Sequence, residues 1–489
     1  MSEGAQVNPI RRLLGTSAVY ALGSVLGRLG AFLLLPLYTH SLSLSEYGML
    51  ELIYAASSVA SALIGSGLAH TALRFYFDES PDSRGRIITT ALFLSFLASA
   101  TVAGLCSLFA DPIGTVLLGE EGRGTLMQLM LAVMVFELSN EICFAYCRVR
   151  EWAMLYVSLG LFRLLAQVGT SVYLVGYLDL GVEGVLASNL ISVFTVWLFL
   201  AILVLRHCGL RLAVARIPAM YRYSTPLAMR ALVGIAAGNV DRLFLRSFVS
   251  VEAVAIYGLG QKFAQILRFA VIEPFQLGYG PFRFAILKRD DAKEVQRRVA
   301  VVYALGGTLA ALLLAAFTPM AIQLMSPEEY WSAAQVTCIA VIATVAAGLS
   351  YCFETGLLIH KSTTTLLTLS ILNLVVSVVL QLCLVPTLGV LGATIAAALV
   401  GIFNAVIVQV YANRQYPLQY LKRADLGVLA GGILCLCVLA LVGHWSWPRQ
   451  LLVAAAAISS YVTLVLLLHA EGRAFLGALL NRARRIVAA

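Results

Sequence analysis

Apolar residues fall in long runs along this chain, broken by short joins that carry charged residues, glycine or proline. A helix that crosses a bilayer needs ~20 mostly apolar residues. Runs of that kind, bounded by charge or turn residues, lie at about 13–40, 46–73, 87–109, 124–147, 152–177, 184–205, 223–249, 253–280, 299–318, 331–358, 363–385, 389–412, 425–443 and 450–468. Only helices and closed barrels satisfy backbone hydrogen bonds in hydrocarbon, and runs of this length match helices. The pattern predicts an all-α polytopic membrane protein with about 14 transmembrane helices. Two places are weak: the seventh run carries several charges, and the eleventh and twelfth meet at Thr387–Gly389.

Composition agrees. The 489 residues are 60% apolar and 12% charged, against roughly half and a quarter in soluble domains. Mean hydropathy is +0.89. A soluble enzyme, a disordered chain and a nucleic-acid-binding domain are excluded. The first apolar run is too long for the core of a cleavable signal peptide. The net charge of +9 takes its meaning from placement. Of the 34 Lys and Arg, 25 fall in one set of alternating loops, two (Arg123 and Arg449) in the other, and seven inside spans. One missed or invented span would scramble that split. Positive charge marks the cytoplasmic side, so both termini are expected there. The surplus charge reads as topology signal and contact with anionic membrane lipids, with no role for nucleic acid.

The chain resembles itself at an offset near 210 residues. Leu44-Ser45-Glu46-Tyr47-Gly48 opens span 2, and Val254-Ala255-Ile256-Tyr257-Gly258 sits at the start of span 8. Leu180-Gly181-Val182-Glu183-Gly184 precedes span 6, as Leu388-Gly389-Val390-Leu391-Gly392 precedes span 12. Six spans per unit give both units the same orientation, a transporter-like arrangement of two lobes about an axis along the membrane normal. The expected divisions are 1–210 for the first lobe, 211–415 for the second, and 416–489 for two extra spans with a basic tail.

Ionisable groups in hydrocarbon are costly and gather around cavities or partners. Helical spacing puts Ser17, Tyr20, Ser24 and Arg28 on one stripe of span 1. Glu137, Glu141, Phe144 and Arg148 form a stripe in span 4, and Arg163, Gln167 and Ser171 one in span 5. In a continuous span 7, Arg230 and Asp241 would lie about 20° apart. Arg242 and Arg246 form a second stripe there. In span 8, Gln261, Gln265 and Arg268 align, and Lys262 shares a face with Glu273. The functional reading is a cationic, water-filled cavity between lobes. Guanidinium groups fork onto two phosphate oxygens and stay charged. The neighbouring Gln, Ser and Tyr suit sugar hydroxyls. The structural reading has Arg246 snorkelling from a span end and Arg74 and Arg148 anchoring at the interface. Asp241, Glu137 and Glu141 stand open between proton or sodium coupling and service as counter-ions.

Other residue types add little. The nine cysteines lie mostly inside apolar runs, without zinc spacing, and read as small core residues. The six histidines are scattered, so no metal site is expected. Pro36, Pro226, Pro274 and Pro281 fall in or beside spans 1, 7 and 8, where a proline kinks a helix. The chain has no nucleophile elbow, no phosphate-binding glycine loop, no zinc-protease motif and no loop long enough for a catalytic domain.

Phe32-Leu33-Leu34-Leu35-Pro36-Leu37-Tyr38-Thr39, followed by Leu42-Ser43 and Glu46-Tyr47-Gly48, resembles the start of the polysaccharide-transport flippases. So does Gly67-Leu68 followed by Arg74-Phe75-Tyr76. Asp241-Arg242-Leu243-Phe244-Leu245, then Ile256-Tyr257-Gly258, is similar to that family's seventh and eighth helices. The resemblance spans most of the chain and is to the Wzx-like branch of the MOP superfamily (multidrug, oligosaccharidyl-lipid and polysaccharide exporters), which shares its architecture with MATE transporters and lipid II flippases. It implies a bacterial inner-membrane flippase that turns an undecaprenyl-diphosphate-linked oligosaccharide across the bilayer by alternating access. It implies coupling to H+ or Na+, no other cofactor, and work beside a polymerase and other polysaccharide assembly proteins. From the stripes, Tyr20, Ser24, Arg28, Arg163, Gln167, Arg230, Gln261, Gln265 and Arg268 are expected to line the cavity; by the resemblance, spans 13 and 14 would border a groove for the lipid tail. The N-terminal stretch departs from lipid II flippases, which argues against a peptidoglycan precursor.

Two rivals make different demands. A drug or cation antiporter of the same superfamily predicts a cavity dominated by carboxylates and aromatics; the mid-depth arginines argue against it. A membrane glycosyltransferase or polymerase wants a large external loop or an aqueous acid cluster, and the longest such loops are only about a dozen residues, near Asp111–Arg123 and Thr318–Tyr330. The chain is therefore expected not to be an enzyme.

Overall fold

The computed structural model describes residues 32–468 apart from 66, 288, 360–361, 419 and 444–446, and leaves the side chains of 82, 226, 227, 230 and 363 undescribed. The described residues are helices and joins, with no strand among them. Among the described residues ten helices are long and apolar enough to cross a membrane, one of which, Thr364–Gln415, is long enough to cross twice. Contacts divide the chain into two compact units at Asn239 and Val240.

The first unit contains α1 (Leu35–Ser41), α2 (Leu44–Ile64), α3 (Leu68–Asp78), α4 (Pro81–Ser107), α5 (Ala110–Leu118), α6 (Gly124–Val149), α7 (Ala153–Ser171), α8 (Gly181–Cys208) and α9 (Ile217–Ala237). Its core forms where α4, α6 and α8 meet, with Ile88, Ala91, Cys143, Ala145, Val196 and Leu200 fully enclosed. A capping box starts α2: Glu46 N–H donates to Ser43 Oγ at 3.3 Å, and Ser43 N–H donates to the Glu46 carboxylate at 2.9 Å. The helix therefore begins two residues before the predicted start of span 2. Beyond α7 the helix widens to i→i+5 bonding over Val172–Tyr177, then turns at Gly181 (φ +54°). A Cβ there would sit 2.9 Å from Glu46 Oε1, so the two motifs of the first repeat unit meet in space.

The second unit contains α10 (Val240–Phe248), α11 (Val251–Leu267), α12 (Glu273–Ala285), α13 (Ala292–Met325), α14 (Ala333–Phe353), α15 (Thr355–Ile359), α16 (Thr363–Gln415), α17 (Arg423–Leu441) and α18 (Trp447–Leu468). The repeat reappears in its joints. Ser250 Oγ caps α11 by accepting from Ala253 N–H at 3.2 Å. Gly389 (φ +59°) interrupts α16 at the predicted meeting of spans 11 and 12, close to Val249. Gly181 and Gly389 are the paired positions of the two sequence motifs. Helix α11 starts one turn earlier than the alignment of Tyr47 with Tyr257 requires, so the two helices match in their tyrosines rather than in their caps.

The predicted spans 2 to 14 all have helical counterparts, and several of them, span 10 (α14 and α15) included, are built from two helices. Span 2 is two helices, α2 and α3, parted at Gly65–Gly67. Span 7 is also two, α9 and α10, because the backbone leaves the helix at Gly238–Asn239. Span 8 is α11 and α12, joined through an i→i+5 stretch over Arg268–Ile272. Span 1 lies outside the described residues except for its end, α1. The contact division falls between Asn239 and Val240. Helix α9 packs on α2 and α3, with Gly67 tight against Ser224 and Arg74 4.6 Å from the Tyr223 ring. Helices α17 and α18 pack on α13 as part of the second unit's main core.

Candidate functional site

In the first unit, α6 and α7 bring Glu137 and Arg163 together. Arg163 donates from both terminal nitrogens, to Oε1 at 3.0 Å and Oε2 at 2.7 Å. This fork-on-fork pair is the strong form of an ion pair, and both partners stay partly open, Arg163 at 25% and Glu137 at 40% exposure. Glu141 lies one turn further along the same face of α6 and is exposed; Gln167, one turn from Arg163, is half-buried. The predicted stripe ends at Ser171. That hydroxyl is buried, bonded to Tyr38 at 3.0 Å and Ser188 at 2.7 Å, and it ties α1, α7 and α8 together. Tyr20, Ser24 and Arg28 lie outside the described residues.

The expected register of Arg230 with Asp241 assumes one continuous helix, whereas α9 ends at Ala237 and α10 begins at Val240. Asp241 starts α10, and its partners lie elsewhere. It is buried and accepts from the Tyr257 hydroxyl and from the Arg242 backbone N–H at 2.9 Å. The Arg242 guanidinium lies 3.6 Å from it. Gln261 donates to the Tyr257 oxygen at 2.8 Å, so the tyrosine's own proton is directed at the carboxylate. Gln261, expected beside a sugar, thus supports Asp241, while Gln265 and Arg268 are exposed. Arg268 lies 3.8 Å from Glu273. The side chain of Arg230 lies outside the described residues.

Two participants escape a reading of the sequence. Tyr257 sits one turn before Gln261, and that i, i+4 spacing was the available signal. Arg283, counted with the loop cations, is 6% exposed. It lies 4.5 Å from the Tyr351 ring and donates to the Tyr351 carbonyl at 3.3 Å. No sequence signal marks it, because its burial depends on how α12 packs against α14.

The second unit also holds an apolar cavity of about 230 Å³. Thr308 of α13, Ile342 and Phe353 of α14, Gln409 of α16, and Leu429 and Leu436 of α17 line it. Helix α17, the predicted span 13, borders this space; α18 supplies no lining residue.

The fold has close counterparts among solved structures. An inward-facing multidrug resistance MATE family transporter of the MOP superfamily matches with TM-score 0.67 at 14% identity, over 79% of this chain and 94% of that one. The lipid II flippase MurJ, in an inward closed conformation, matches with TM-score 0.66 at 11% identity, over 92% of this chain and 98% of that one. The Vibrio cholerae MATE transporter VcmN matches with TM-score 0.57 at 17% identity, over 84% and 98%. At these identities the likeness establishes the fold alone. Among curated proteins none matches. The family model for polysaccharide biosynthesis proteins matches residues 13–277, over half of the sequence, and so the chain belongs to the polysaccharide biosynthesis protein family.

Proposed function

We propose that this protein flips an undecaprenyl-diphosphate-linked oligosaccharide repeat unit across the bacterial inner membrane, for assembly of a surface or secreted polysaccharide. The observation that carries this reading is the match of residues 13–277 to a polysaccharide biosynthesis family on a chain with a MOP fold. The family membership indicates the glycan pathway, and the fold suits moving a lipid-borne load without chemical change. Membrane-embedded arginines support a diphosphate headgroup: Arg163 holds its fork on a partly open carboxylate that a phosphate could replace, and Arg268 is exposed beside Glu273. The apolar cavity against α17 would take a short stretch of polyprenyl chain, since its lining is almost wholly hydrocarbon. Asp241, buried and held by Tyr257 and Arg242, is the carboxylate best placed to couple the cycle to an H+ or Na+ gradient. The alternation of cationic loops argues that both termini are cytoplasmic. A polymerase and other assembly proteins would take the product.

Deleting the gene in its host and extracting lipids tests the reading. The expected result is loss of surface polymer and accumulation of an undecaprenyl-diphosphate oligosaccharide in the cytoplasmic leaflet, whose mass identifies the sugar. Normal polymer with new drug sensitivity would replace the reading with that of an antiporter.

A further inference from the structure

We propose that Glu137 is a built-in competitor for the substrate headgroup: it occupies the Arg163 fork in the empty carrier, and only an anion of higher charge, such as a diphosphate, displaces it. The inference rests on the reading of the substrate as a polyprenyl diphosphate. Its basis is the bidentate pair between α6 and α7. Both terminal nitrogens of Arg163 are committed to one carboxylate, and a phosphate would need that same fork. The pair is open enough to be exchanged, since neither partner is fully enclosed.

Charge decides which anions win the exchange. A phosphodiester headgroup carries one negative charge, as a carboxylate does, so swapping one for the other gains little. A diphosphate brings more charge to the same fork and gains from the exchange. Glu141, one turn away on the same face, adds a second carboxylate and raises the threshold further. Arg148 lies two turns beyond it. The long apolar stretches of α4 and α8 packed against α6 hold no ionisable group between Arg86 and Cys106 or between Glu183 and Arg206. The remaining charged groups on helices touching α6 include Glu51 of α2, Arg74 and Asp78 of α3, and Asp111 of α5. Glu137 thereby raises the affinity a ligand needs to reach Arg163, which keeps the weakly held bulk anionic lipids off the fork. It also reclaims the fork after release, so the empty carrier resets without an unpaired guanidinium in the membrane.

The test uses the full chain in nanodiscs of zwitterionic lipid, with farnesyl diphosphate as probe and a short-chain phosphatidylglycerol as competitor, read by calorimetry. Wild type is expected to prefer the diphosphate strongly. Glu137→Gln is expected to bind farnesyl diphosphate about fivefold more tightly. Its affinity for phosphatidylglycerol should rise by a similar factor, so that the lipid, held off in wild type, now occupies the fork, and the cell should make less surface polymer despite tighter binding. In the double variant Glu137→Gln with Arg163→Ala, the gain should vanish. A Glu137→Gln protein that binds no more tightly, or whose gain survives loss of Arg163, overturns the inference and leaves the substrate reading intact. Absence of probe binding by wild type and variants alike overturns both. Elution of each variant as a folded monodisperse species by size exclusion separates these outcomes from misfolding.

Discussion

The residues that matter most here are those whose polar groups have one specific use. Tyr257 is fully buried and spends its only proton on Asp241. Tyr257→Phe removes a hydrogen bond to a carboxylate and should cost ~1.5–3 kcal/mol, whereas Gln261→Met, which loses a bond to a neutral hydroxyl, should cost ~0.5–1.5 kcal/mol. Thermal unfolding of the purified proteins checks the order; equal midpoints for Tyr257→Phe and wild type would sink it. Arg268 is the opposite case, 69% exposed beside Glu273. Its removal should leave folding unchanged, so Arg268→Ala is expected to insert normally and abolish surface polysaccharide. Full polymer at normal expression would remove Arg268 from the substrate site. Both roles follow from neighbours: Asp241 was legible as an intramembrane acid, but its partner was not, because Tyr257 lies on another helix.

At the scale of elements, the joints carry more information than the helices. Gly67 has φ +117° and begins α3 where a Cβ would lie 2.8 Å from the Ser224 carbonyl oxygen of α9. Gly67→Ala therefore meets a backbone penalty of ~1–2 kcal/mol and a clash with an atom that cannot rotate away. A drop in unfolding temperature, with a partial return in no single side-chain variant at Ser224, is the expected result. A Gly67→Ala protein as stable as wild type would show that α3 and α9 separate easily. The cap at Ser43 is a milder case. Ser43→Ala should cost ~1 kcal/mol and fray the start of α2, seen as faster amide exchange over its first turn with little change elsewhere. The breaks at Gly238–Asn239 and over Arg268–Ile272 lie in the spans where in-span charges and prolines cluster. The same charges weakened the reading of span 7, so the place of the break was visible although its geometry was not.

For the whole molecule, the proposed cycle depends on energy from outside it. Asp241→Asn keeps the size of the side chain and removes the charge that a coupling ion would neutralise. The variant is expected to lose its response to an uncoupler, measured as the rate at which new polymer reaches the surface after the gradient is collapsed. An unchanged response would take Asp241 out of the coupling scheme while leaving the flippase reading standing. The two units repeat each other in the Tyr-Gly pair of one helix, Tyr47-Gly48 and Tyr257-Gly258, and in a left-handed glycine, Gly181 and Gly389. Such a duplicated plan fits a carrier whose halves do similar mechanical work.

The sequence by itself determined the class of this protein. Hydrocarbon tolerates a helix of ~20 apolar residues and little else, so the spans and their breaks by charge are written locally. The repeat is local too, since Gly181 and Gly389 sit in turns that require a left-handed residue. Tertiary structure alone decided which charges meet. A stripe shows where a side chain points around its own helix, but a partner 26 residues away, as Glu137 is from Arg163, depends on how two helices pack. The same holds for Ser171, drawn off the polar stripe into a buried hydroxyl chain, and for Arg283, drawn out of a loop into an aromatic cage. Pairing in a membrane is set by the depth and rotation of neighbouring helices, and neither quantity is encoded in any single run of residues.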